Sequence, residues 1–213
     1  MKYFIDTEFI EGFHKPLFGK RRHFIDLISI GIVAEDGRTY YAISKEYDYD
    51  KASEWVKQNV ITPIYRQRLP AFKQQFMDIK TFHKYCGKTN KQIAEEVIEF
   101  CSGVKHPTSQ IYQMHEPEFY GYYSDYDWVL FCSLFGTMMQ LPKGFPMYCI
   151  DLKQTVDEKT RAHLDRWGFP AHRFDDGLKK MKEHENYPKQ ENEHNALADA
   201  KWNFELYKFL QSI

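Results

Sequence analysis

Apolar residues come in short runs near the start of the chain and at three- and four-residue steps near its end. Tyr3-Phe4-Ile5, inside Lys2 to Phe9, is a buried-strand pattern of aromatic and β-branched residues that runs into Asp6 and Glu8. A polar, basic stretch from Glu11 to Arg22 follows, broken by Gly12, Pro16 and Gly19. A second strand is expected over Phe24 to Val33 and a third over Thr39 to Ser44, joined by the Asp36-Gly37 turn signal. The chain thus opens as an antiparallel meander.

Helical spacing then takes over. It is present over Ala52 to Val60 and more strongly from Thr89, where Thr89 and Gln92 form a capping box ahead of Ile93, Val97, Ile98 and Cys101. A strand is expected at Ile111 to Met114 or at Phe119 to Tyr123, and after it a helix, capped by Ser124 or Asp125, through Asp127 to Leu134. Pro146 to Asp151 reads as one more strand, and Asp157 to Trp167 and Phe174 to His184 as shorter helices. The last helix is the clearest, with Leu197, Ala200, Phe204, Tyr207 and Leu210 on one stripe. Before it, Glu185 to Glu193 offers almost nothing to bury and reads as a mobile loop. The order, three strands and then alternating helices and strands, is that of one α/β domain over residues 1–213.

Composition narrows the class. With 43% hydrophobic and 17% aromatic residues the chain can bury a core, and no run approaches the ~18 apolar residues of a membrane span. Four cysteines, at 86, 101, 132 and 149, show no C-x-x-C spacing, which excludes the usual zinc and redox motifs and suits a reducing cytoplasm. A net charge of −1 argues against a protein that coats nucleic acid through a global basic field, so any such contact must be local.

Three segments concentrate the chemistry. Asp6 and Glu8 stand at i and i+2 of a strand, on one face and ~6–7 Å apart at the backbone, close enough to converge on one cation. His194 and Asp199 have the form H-x-x-x-x-D; five helical residues turn through ~500°, leaving the two ~140° apart. They can meet at one site only if Asp199 is on the helix and His194 swings inward from its first turn or from the loop before it. The third segment, Ser124-Asp125-Tyr126-Asp127-Trp128, puts acids at a helix start directly after a strand, and either Asp125 or Asp127 could face a ligand. Carboxylates without cysteine favour Mg²⁺ or Mn²⁺. Two such ions form the clamp used for phosphodiester cleavage, and a histidine is suited to take the proton from the attacking water.

With these motifs in this order the chain resembles the DEDDh branch of the RNase H-like 3′→5′ exonucleases, which includes proofreading exonucleases, RNase T and oligoribonuclease. The match lies in Phe4-Ile5-Asp6-Thr7-Glu8-Phe9, in Tyr126-Asp127 with Leu130-Phe131, in His194 to Asp199, and in Ile30-Gly31-Ile32-Val33 of the meander. The resemblance implies an RNase H-like mixed five-stranded sheet flanked by helices. It implies two Mg²⁺ ions on Asp6, Glu8, Asp127 and Asp199, with His194 as general base and Thr7 and Phe9 against the terminal nucleotide. The wording Asp-Thr-Glu-Phe-Ile and Tyr-Asp-Trp-Val is similar to a small group of bacterial and phage-type 3′→5′ exoribonucleases. From that follow an RNA substrate with a single-stranded 3′ end or overhang, DNA being the alternative, and a homodimer. Phe13 to His23 departs from the family as a longer loop. Its Lys15, Lys20, Arg21 and Arg22 either contact phosphates or belong to a solvated hairpin. Phe9 is as compatible with the core as with stacking on a base.

Overall fold

The first strand, β1 (Lys2–His14), is the middle of a five-stranded sheet of order β3-β2-β1-β4-β5 in the computed structural model, which describes residues 1–14, 18–102, 116–166 and 170–213. It pairs antiparallel with β2 (Arg22–Ala34), which pairs antiparallel with β3 (Thr39–Ile43). On its other side it pairs parallel with β4 (Glu118–Gly121), which pairs parallel with the two-residue β5 (Ile150–Asp151). This is the expected mixed sheet, a meander followed by parallel strands. The Asp36-Gly37 turn closes β2 to β3 with Gly37 at φ 88°, a conformation that favours glycine.

Because β1 is central, both of its faces are covered, and its alternation sorts the core. Tyr3 and Ile5 join Ile30 and Ile32 against Ile93 and Val97 of α3 (Asn90–Ser102) and Trp128 and Phe131 of α4 (Asp125–Leu134). Phe4 faces the other way, with Val33, towards Leu152 and Val156 of α5 (Leu152–Arg166) and Ala200, Leu206 and Leu210 of α7 (Ala196–Ser212). Further along that row Ile10 packs with Ile28 and Ile43 against Val60, Ile61 and Ile64 of α1, a continuous helical run of three parts, Glu54–Val56, Lys57–Ile61 in π form and Thr62–Arg68. Two further helices are α2 (Ile79–Cys86) and α6 (Phe174–Lys182).

The capping box at Thr89 is present in both arms: Thr89 N–H donates to Gln92 Oε1 at 2.9 Å and Gln92 N–H donates to Thr89 Oγ1 at 3.1 Å. Other boundaries differ from expectation for identifiable reasons. The last strand shrinks to Ile150–Asp151 because only Ile150 and Asp151 find partners on β4. The helix after it starts at Leu152, earlier than Asp157, since Asp151 Oδ1 accepts the N–H groups of Lys153 and Gln154 and holds the first turn. The strand after α3 is the Phe119 alternative, and Ile111 to Met114 lies outside the described residues. After Phe9 the hairpin alternative holds, and β1 and β2 run past their expected ends at Phe9 and Phe24. Pairing of β1 with β2 continues to His14 opposite Arg22, so the two ends of this segment form a two-stranded ribbon.

Candidate active site

β1 brings Asp6 and Glu8 to the face that α7 covers. One carboxylate oxygen of each, and one of Asp199 on α7, lie within 4.8 Å of one another. Asp6 is half-buried and Glu8 and Asp199 are buried, so three acids almost 200 positions apart share a partly dry space. Their approach depends on Gly31, which pairs with Asp6 across the sheet. A methyl group at Gly31 would stand 2.2 Å from the Ala196 carbonyl oxygen and 2.5 Å from Leu197 Cα, so the first turn of α7 rests directly on the strand. Asn203 fastens the same helix to β1, its Nδ2 donating to the buried Ile5 carbonyl at 2.9 Å. Next to Glu8 the register of β1 against β2 shifts between Glu8/Phe9, a bulge of the kind found beside active sites.

The two acids of α4 differ in burial. Asp125 is exposed, whereas Asp127 is buried and its Oδ1 accepts from Thr7 N–H at 2.8 Å and from Thr7 Oγ1 at 2.5 Å. Thr7 points away from Asp6 and Glu8, as alternation requires, and gives both of its donors to Asp127. It is thereby the residue that ties α4 to β1. Phe9 is partly buried against the core around Tyr3 and Ile5, and also meets the exposed Tyr126 edge-on at 5.5 Å.

Asp199 is held from three sides. Its Oδ1 accepts from Gln190 Nε2 at 2.7 Å, and its Oδ2 from the N–H groups of His194 at 2.9 Å and Asn195 at 3.2 Å. Asn195 in turn caps α7 by accepting from Ala198 N–H at 3.1 Å. Asp199 is on the helix and His194 in the loop before it, as anticipated. What joins them directly is the His194 backbone, at φ 67°, while its ring is exposed and stands edge-on to Trp55 at 4.9 Å. His194, Trp55 and Glu8 line one open groove of about 530 Å³.

Sequence reasoning missed Trp55, Gln190 and Tyr187. The stretch Glu185 to Glu193, expected to be a mobile loop, is anchored: Tyr187 packs on Phe209 at 5.3 Å, the Pro188 carbonyl accepts from Trp202 Nε1 at 3.0 Å, and Gln190 reaches Asp199. The signal was Tyr187-Pro188, two residues that a wholly solvated loop has no need of.

Electrostatics makes the cluster costly while it holds no cation. Burial pushes Asp6 well above the usual carboxylate range, and the charges of Asp127, Glu8 and Asp199 push it further. Glu8 rises to about 8, chiefly through burial and then through Asp199 and Asp127. Asp127 rises to about 6 by burial, against the pull of its two bonds from Thr7. Asp199 is raised by burial and restrained by Gln190, His194 and Asn195. Acids whose folded pKa is raised stabilise the fold only while protonated. Without divalent ions, stability is therefore expected to decline between about pH 4.5, where Glu8 starts to ionise in the unfolded chain, and about pH 8. Mg²⁺ or Mn²⁺ would replace those protons, so the melting temperature should gain more from added metal at pH 8 than at pH 5.5. A gain that is equal at both pH values, or absent, would contradict this account of the site. The donor set itself, carboxylate oxygen throughout with no thiolate, fits hard divalent ions.

Known proteins resemble the chain along nearly its whole length. The family model described as the 3′-5′ exoribonuclease Rv2179c-like domain matches residues 1–211. The chain is 29% identical over 212 residues to 3′-5′ exoribonuclease Rv2179c of Mycobacterium tuberculosis (strain ATCC 25618 / H37Rv), covering 100% of this chain and 94% of that protein. The same figures hold for 3′-5′ exoribonuclease MT2234.1 of Mycobacterium tuberculosis (strain CDC 1551 / Oshkosh). With a match along nearly its whole length, the chain belongs to the Rv2179c-like 3′-5′ exoribonuclease family.

Proposed function

We propose that this protein is a metal-dependent 3′→5′ exoribonuclease of the DEDDh branch, RNase H-like in fold, that releases nucleoside 5′-monophosphates from a single-stranded RNA 3′ end or 3′ overhang. The observation that carries this reading is the convergence of Asp6, Glu8 and Asp199 within 4.8 Å, with Asp127 fixed beside them by Thr7. Asp6, Glu8, Asp127 and Asp199 would hold two Mg²⁺ ions, with Mn²⁺ able to substitute. Such a pair, when bound, supplies an activated water and stabilises the departing 3′ oxygen.

The chain's own groups do the rest. His194 takes the proton from the attacking water on a ring nitrogen, and its exposed ring beside Trp55 has room to approach the groove. The Asp199 carboxylate, by accepting His194 N–H, ties the position of that base to the cage. Gln190 and Asn195 hold the same carboxylate against rotation. Phe9, which lines the groove, stacks on the terminal base in this reading.

A labelling experiment tests the reading. A 5′-labelled RNA and its DNA counterpart, single-stranded and with 3′ overhangs, are incubated with Mg²⁺, Mn²⁺ or chelator. RNA should shorten stepwise from its 3′ end with either metal and stay intact with chelator. Equal cleavage of DNA would replace the RNA assignment by a general one, and cleavage in chelator would sink the metal mechanism. His194→Ala should retain metal binding and lose about 10²–10⁴-fold in turnover, the usual worth of a general base.

A homodimer and a cytoplasmic location belong to the same proposal. Among the described residues no helix is long and apolar enough to cross a membrane, and all four cysteines are free, which suits a reducing compartment. The mass in solution, from light scattering, tests the dimer.

A further inference from the structure

Beyond the cage, β1 and β2 leave the sheet together. β3 pairs β2 only from Ser29 to Val33 and β4 pairs β1 only from Lys2 to Phe4, yet β1 and β2 stay paired to His14 and Arg22. On one face of this ribbon the strand repeat places Phe9, Glu11 and Phe13, with His23 directly across from Phe13. Tyr126 of α4 leans onto the same face. The result is a row of rings: Phe9 to Tyr126 at 5.5 Å, Tyr126 to His23 at 6.5 Å and His23 to Phe13 at 5.6 Å. Phe13 is 58% exposed and Tyr126 46%, which core packing does not explain.

We propose that this row is a stacking track for the single-stranded body of the RNA upstream of its 3′ end. It rests on the exoribonuclease reading above. The row starts at Phe9, whose ring lies on the face of β1 opposite to Glu8 but lines the same groove, and extends about 13 Å along the ribbon to Phe13, at ~3.3 Å per residue, which is longer than one base needs. Flat exposed rings in series accept any base through its π-face, as proteins that hold single strands without sequence preference require. Lys20, Arg21 and Arg22 lie at the outer end, and none of them forms an ion pair among the described residues, so they are available to phosphates; Lys15 lies outside those residues. Glu11 stands on the track face and pairs with His23 at 3.4 Å, and Asp125 is exposed next to Tyr126. These carboxylates repel phosphate from the row itself. They leave it to the bases and send the backbone along the rim towards the three cations.

The test compares a dinucleotide, too short to reach Phe13, with a 12-nucleotide RNA. In Phe13→Ala the KM for the 12-mer should rise about 10-fold, the usual scale for losing one base–aromatic stack, while kcat and the KM for the dinucleotide stay as in the wild type. Phe13→Trp should restore the 12-mer KM and Phe13→Leu should not. An unchanged 12-mer KM, or an equal loss on both substrates, overturns the track. If the wild-type enzyme degrades neither RNA, the exoribonuclease reading fails separately. The track is then judged by fluorescence anisotropy of a 5′-fluorescein 12-mer: about 10-fold weaker binding by Phe13→Ala supports it, and equal binding overturns it.

Discussion

Asp6→Asn is expected to lower 3′-end degradation by at least about 10³-fold while raising the melting temperature of the metal-free protein. The activity loss follows from the position of Asp6 in the only three-residue ligand group found among the described residues. Losing even a partner of a metal ligand commonly costs 10–100-fold, and losing the ligand costs more. The gain in stability follows from the same geometry. Asp6 is crowded by the negative charges of Asp127, Glu8 and Asp199, and burial raises it further, so a neutral side chain of the same shape relieves a repulsion. Differential scanning fluorimetry with and without Mn²⁺ separates the effects: the variant should melt higher than wild type in chelator and gain less when metal is added. Activity within 10-fold of wild type, or a lower melting point in chelator, would mean that the acids are not a cation cage.

Gly31→Ala should be the most damaging substitution outside the acids. The added methyl meets backbone, the Ala196 carbonyl at 2.2 Å, and backbone cannot rotate aside as a side chain can. A loss of about 3 kcal/mol is expected, at the upper end of overpacking costs. The clash falls at the start of the helix that carries Asp199 and orders His194. A displacement of about 1 Å there should cost about 10²-fold in turnover even where the variant folds. Gly37→Ala is the control. It sits at φ 88° in an open turn with no neighbour within 4 Å, so it should lose roughly 1 kcal/mol and keep its turnover. Urea unfolding together with rates measured on the folded fraction tests both. If Gly31→Ala keeps full activity, the seating of α7 on β1 and β2 is not what positions the site.

The degree to which the site could be read from the chain differs residue by residue. Asp6 and Glu8 were legible because a strand's repeat of two puts i and i+2 on one face whatever surrounds it. The start of α3 was legible because both arms of its capping box lie within four residues. The position of His194 in the loop before the helix of Asp199 was legible because helix geometry forbids the two from sharing a face. Asp127 was not separable from Asp125 in the sequence, since both begin the same helix. Only the two bonds from Thr7, 120 positions earlier, show that it is Asp127 that is buried against β1. Gln190 looked like one more polar residue of a loop, and Trp55 like one more apolar residue of a helix. A hairpin was among the readings of the segment after Phe9, but its length was not legible, because Gly12 and Pro16 are breakers in a local reading and a pairing with residues 22–27 is not a local property.

The sequence by itself determined the element order, the meander, the chemistry of the donors and the segments that carry them. These are written in periodicities and caps, whose interactions span a few residues and whose energies depend little on what is packed nearby. The tertiary structure alone decided which acid of α4 is buried, how closely α7 rests on Gly31, how firmly the loop before α7 is anchored, and that the aromatic row of the ribbon leads away from the cage. Each of these is a contact between segments distant in the chain. Burial, repulsion among carboxylates and close packing acquire their magnitudes only when such segments meet in one folded volume.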